Sequence, residues 1–128
     1  MKQQKASAAV EVALIFPLLL ACVLAIAEYG IYFVISYETE QVAYQAAKIG
    51  AMAHMERAAI AGAEANRLIT ELGLSGYDPE VKVSNNPPGH TEVRVTFRYT
   101  TVTGVSDLPV VSLLFPSKVD KKASYKNF

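Results

Sequence analysis

Few side chains in this sequence have the type and spacing for bond-making chemistry. His54 and His90 are far apart, with no acid or thiol set around them. Neither H-x-x-x-H nor C-x-x-C spacing occurs, so no metal site is expected. No G-x-S-x-G, Walker or G-x-G-x-x-G motif is present, so the sequence offers no catalytic residue, no cofactor and no case for an enzyme. Cys22 is the single cysteine; it forms no intrachain disulfide and reads as a small apolar helix residue. Two carboxylates remain to be explained. Glu11 stands at the mouth of a long apolar run, and Glu28 lies near its far end beside Tyr29. An acid near hydrocarbon is expensive and usually has a partner. Glu11 therefore carries the sharpest functional question, while Glu28 and Tyr29 read as interfacial residues.

The element that positions them begins almost at the N-terminus. Val12–Ala27 holds sixteen residues without a charge, and from Val12 to Tyr37 only Glu28 is charged at neutral pH. About 20 apolar residues cross a bilayer core, and Val12–Ile35 fits that length. Lys2 and Lys5 precede the run, whereas Glu28 lies near its far end and Glu38 and Glu40 follow it. By the positive-inside rule the N-terminus is cytoplasmic and the remainder extracytoplasmic. Tyr29, Tyr32 and Tyr37 supply an aromatic belt, and Pro17 frees a backbone carbonyl in the first turns. A secretory signal peptide cleaved after Ala27 is a rival, because Ala25-Ile26-Ala27 satisfies small-x-small. Apolar character continues through Ile31–Ile35, however, and a released chain would begin with a sticky aromatic helix. A plain single-span anchor accounts for the run but not for Glu11 or for the small residues Ala6-Ser7-Ala8-Ala9 before it. Cleavage between Ala6 and Ser7 would remove the basic leader, keep the apolar helix, and leave a new amine four residues upstream of Glu11.

Ala6-Ser7-Ala8-Ala9-Val10-Glu11-Val12-Ala13-Leu14, Pro17-Leu18-Leu19-Leu20, Glu28-Tyr29-Gly30 and Ala46-Ala47-Lys48-Ile49-Gly50-Ala51 stand in an order and spacing that resemble the TadE-like pseudopilins of tight-adherence (Flp) pilus systems. Ala6 stands where the family more often has Gly, and Val12 where it often has an aromatic. The resemblance implies a minor pilin or pseudopilin, processed at Ala6 and Ser7 by a prepilin peptidase and held in the inner (cytoplasmic) membrane before incorporation in a pilus. It implies that Glu11 pairs with the N-terminal amine of a neighbouring subunit. Neither charge is cheap alone at that depth, while the pair is tolerable and fixes register. Implied partners are a second pseudopilin, the small major pilin, and the inner-membrane assembly platform with its ATPase. A major filament subunit fits less well, since those of such systems are much shorter.

Balanced charge, with 12 basic and 12 acidic residues, gives no electrostatic case for nucleic acid. The chain divides as a leader over 1–6, a transmembrane helix over 7–37, an Ala-rich extracytoplasmic helical region over 38–73 and a small β domain over 74–128. From Ser36 to Leu72 there is no proline, and Val42, Ile49, Met52, Met55, Ile60 and Leu68 suggest a loose apolar stripe. The helix either runs unbroken to Leu72 or turns near His54–Arg57, with Gly73 as its cap. Glu80–Ser84 and Thr91–Thr101 alternate polar and apolar, and the Asn85–Gly89 turn joins them as a hairpin. Val93, Val95, Phe97 and Tyr99 share one face. Lys118–Tyr125 supplies a third strand, with Val119, Lys121, Ala123 and Tyr125 on one side. Leu108–Pro116 is a proline-bounded apolar run, either core under the sheet or a docking patch. The expected fold is α+β and pilin-like: a long N-terminal helix, its first half transmembrane, followed by a small antiparallel sheet of about three strands. The rival functions are a membrane-anchored interaction protein unrelated to pili and a secreted binding protein.

Overall fold

The computed structural model describes residues 2–100 and 113–128. Helix α1 covers Lys2–Met52 and α2 covers Arg57–Glu71. A short 3-10 turn, Leu74–Tyr77, leads to β1 (Glu80–Ser84), β2 (His90–Arg98) and β3 (Lys118–Lys126). The strands form one antiparallel sheet in the order β1-β2-β3. The expected α+β order of a long helix followed by a small three-stranded sheet is thus what the chain adopts.

Alanine and leucine dominate α1, and both favour helix. The helix continues through Pro17, although that residue donates no backbone hydrogen bond to Ala13. It ends at Met52 with Ala53 N–H donating to Gly50 O at 3.3 Å. Of the two forms left open by the sequence, the broken helix is the one found. Glu56, at φ 52°, turns the chain in a left-handed conformation that non-glycine residues seldom adopt. Its carbonyl accepts from Ile60 N–H at 3.0 Å, starting α2. Gly73, at φ 70°, closes α2 as expected of a left-handed cap.

Residue contacts divide the described chain into two units, 2–31 with 113–115, and 32–100 with 116–128. In the first, apolar side chains of α1 face outward all round, and none of the most apolar stretch is buried. In the second, α1 is packed. Tyr32 meets Tyr99 edge-on at 5.3 Å and Tyr44 meets Tyr125 at 5.9 Å. A Cβ added to Gly50 would lie 3.2 Å from Thr91 Cγ2. Tyr32 near the end of β2 and Gly50 near its start set α1 antiparallel to that strand.

The expected apolar stripe is corrected by the packing. Val42 and Leu68 are buried, but Ile49, Met52, Met55 and Ile60 are exposed. The buried face is Val42, Ala43, Ala46, Ala47 and Ala51 on α1 with Ala61 and Ala65 on α2. Small residues won these positions because the helices approach too closely for larger ones: a Cβ on Gly50 would sit 2.6 Å from that of Ala61. Thr39, also buried, donates its hydroxyl to Ile35 O at 2.6 Å, which satisfies it within its own helix.

Strand β2 supplies the other half of this core. Thr91, Val93, Val95 and Phe97 are fully buried and alternate with Glu92, Arg94, Thr96 and Arg98, the period of a half-buried strand. Val81 and Val83 of β1 stand opposite Val95 and Val93, and Val119 of β3 opposite Phe97. The hairpin and the third strand are as the alternation predicts. Thr101 and residues 108–112 of the proline-bounded run lie outside the described residues, as do the side chains of Lys2 and Lys5.

Candidate membrane span and assembly helix

From Ala6 onward α1 is long and apolar enough to cross a membrane. Val10, Val12, Leu14, Phe16, Leu18, Leu19, Val23 and Ile26 are all exposed. These side chains point in every direction around a 3.6-residue helix, so no single neighbouring surface of the described chain covers them. A helix apolar all round is stable when hydrocarbon or other helices surround it. Cys22 is exposed on the same run.

Glu11 stands on this surface one helical turn beyond Ser7, whose hydroxyl donates to Glu11 Oε1 at 3.5 Å. The i,i+4 spacing puts the two on one face. Ala6, Ser7 and Glu11 are exposed, and among the described residues no cation lies within ion-pair distance of Glu11. The carboxylate is therefore presented outward, not absorbed into the chain's own packing.

Glu28 differs from the expectation of a side chain open at a boundary: it has no accessible surface. Its neighbour Tyr29 is held by a returning segment of the same unit. The Tyr29 hydroxyl donates to Leu114 O at 2.7 Å, and its ring lies against Phe115 with centroids 4.6 Å apart. That return bears on this level of the helix and could not be read from residues 28 and 29 alone. Leu113 and Leu114 themselves remain exposed.

Where α2 ends, it leaves a groove of about 620 Å³ against α1. Phe33, Val34, Tyr37 and Val42 form one wall, Leu68 and Leu72 the other, and Glu38, Gln41 and Gln45 bring polar groups to it. These residues meet only because α2 folds back on α1, which no local pattern announces.

His54 and His90 sit in different surroundings, the first exposed and the second half-buried. Among the described residues no group of three or more His, Cys, Asp or Glu converges on a metal-sized site. The clearest electrostatic feature is on α2, where Arg67 donates to Glu64 at 2.6 Å and also to Glu71. The Arg67 hydrogen bond holds the Glu64 carboxyl below its ordinary range, and the Glu64 carboxylate in turn raises Arg67. Lys82, donating to Glu80 on β1, lowers that carboxyl likewise. Glu64 is half-buried and the other partners are exposed, and surface pairs of this kind add little to stability.

Residues 6–48 match the family of TadE-like proteins. The match starts at the small residues before Glu11 and ends on the packed half of α1. No curated protein and no solved structure matches the chain.

Proposed function

From a TadE-like segment over residues 6–48, we propose that this protein is a minor pilin or pseudopilin of a tight-adherence pilus system, acting by assembly and not by catalysis. The observation that carries the reading is the exposed Glu11 on a helix whose apolar side chains are uncovered in every direction. In this reading residues 1–6 are a leader, removed between Ala6 and Ser7 by a prepilin peptidase at the cytoplasmic face. Residues 7–37 span the inner membrane with the N-terminus cytoplasmic. The helical region over 38–73 and the β domain over 74–128 lie outside it.

The chemistry of assembly follows from solvation. In the bilayer or in a bundle of helices, a lone carboxylate and a lone amine are each poorly solvated, and their pairing removes most of that penalty. A Ser7 amine freed by cleavage would be such a partner for Glu11 of the next subunit. The pair adds register to an apolar contact that by itself slides freely. Other pseudopilins, the major pilin and the inner-membrane platform are the partners this reading requires.

Glu11→Ala is the test. The variant is expected to insert in the membrane as the parent does and to lose co-purification with the other pilus subunits. Unchanged assembly would contradict the pairing.

A further inference from the structure

We infer that the outward face of the sheet binds an acidic polysaccharide, a uronate chain laid across the strands on the row Lys82, Arg94 and Lys122. Lys82 of β1 stands opposite Arg94 of β2, which stands opposite Lys122 of β3. All three are exposed, on the side away from the buried Val93 and Val95. Like charges directly opposite one another destabilise a sheet, and an anion lying along the row relieves that repulsion. Lys82 reaches Glu80 at 2.9 Å and Arg94 reaches Asp120 at 3.5 Å, but exposed pairs hold weakly and exchange partners at little cost. Lys122 has no ion pair among the described residues. Arg98 and Lys118, opposite each other nearer one end of the sheet, and Lys126 at the other end make the face net basic in a chain of zero net charge.

The rows on either side select the kind of anion. One holds Glu80, Thr96 and Asp120, the other Ser84, Glu92 and Ser124. A positive line is thus bounded by acids about 6.6–6.8 Å away, two residues along each strand. A flat anionic surface would press on the acids as well as the cations, whereas a single anionic chain meets the cations alone. Neighbouring strands lie about 4.7–4.9 Å apart, so the row offers one cation for roughly each sugar residue of an extended chain. Polyphosphate carries acceptors only and is repelled by the flanking carboxylates. The hydroxyls of a uronate chain can donate to those same carboxylates while its own carboxylates take the cations. None of the three rows holds an apolar or aromatic side chain, so nothing there stacks on bases as a single-stranded nucleic-acid site does.

The test titrates fluorescein-labelled polygalacturonate with the full chain in nonionic detergent and calcium-free buffer, read by anisotropy. The parent chain is expected to bind, and added salt to weaken binding by screening. Lys82→Gln, Arg94→Gln and Lys122→Gln should each weaken it about two- to fivefold, the range of an exposed ion pair. The triple variant should lose about tenfold or more. Its melting temperature should hold or rise, because the repulsion within the row is gone. Lys48→Gln, at an exposed lysine of α1, should change nothing. Failure of the parent to bind polygalacturonate overturns the inference. So does an equal loss from Lys48→Gln, which would make the attraction one of overall charge. Polyphosphate of matched charge binding as tightly as polygalacturonate overturns the assignment to sugar. Should the triple variant melt lower than the parent, Lys122→Glu on the outer strand replaces it. That reversed charge must weaken binding more than Lys122→Gln does, and undiminished affinity overturns the row.

Discussion

The two halves of α1 solve opposite solvation problems with one backbone conformation. Residues 6–31 carry large apolar side chains outward, and Leu14, Leu18 and Ile26 are among the most exposed of their kind. Residues 32–52 carry a face of alanine and glycine inward against α2 and the sheet. Bulk is useful where the surroundings are fluid or supplied by other molecules. Smallness is required where the chain must approach itself closely. The comparison teaches that hydropathy locates the first half, whereas only packing explains the second.

Substitutions can break either half separately. Phe97→Ala removes the largest fully buried side chain of the sheet core. It should cost the packed unit about 3–5 kcal/mol, seen as a lowered Tm, while membrane retention of the chain is unaffected. Leu19→Arg should do the reverse. A charge at the middle of a span opposes insertion by about 2.5–3.5 kcal/mol, seen as release of the chain by alkaline extraction.

A glycine pair sharpens the contrast. Ala at Gly50 would bring its Cβ within 2.6 Å of Ala61 Cβ, whereas nothing lies within 4 Å of one at Gly30. Both changes add the same helix propensity. Gly50→Ala should nonetheless destabilise the packed unit by about 1–3 kcal/mol through overpacking. Gly30→Ala should leave its melting unchanged.

The smallest effect belongs to the α2 ion triad. Glu64 titrates below its usual 4.5 because Arg67 is bonded to it. The contribution is therefore fully present above that usual value and is lost as pH falls through the lowered one. Arg67→Ala should flatten this acid-side slope in a pH series of melts, with little change near neutrality.

How much of this the sequence disclosed depends on the range of the interactions involved. The apolar run from Val12, the alternation of β2 and the capping role of Gly73 are local patterns, and each is legible from neighbouring residues. Glu11 stands out for the same reason, a carboxylate at the edge of sixteen uncharged positions. The burial of Glu28 escaped because its neighbour Tyr29 meets a segment 85 residues later. Ile49, Met52 and Ile60 fit a loose apolar stripe by spacing yet stay exposed, because the close approach of the helices admits only small residues between them. The groove of Phe33, Tyr37 and Leu72 needed the turn at Glu56, a left-handed non-glycine residue that composition does not mark.

The mass of the mature chain, measured on protein recovered from its own membrane, tests the assembly account most directly. The account predicts a polypeptide beginning at Ser7, with the basic leader gone and Glu11 as the fifth residue. A mature chain that still begins at Met1 would contradict it.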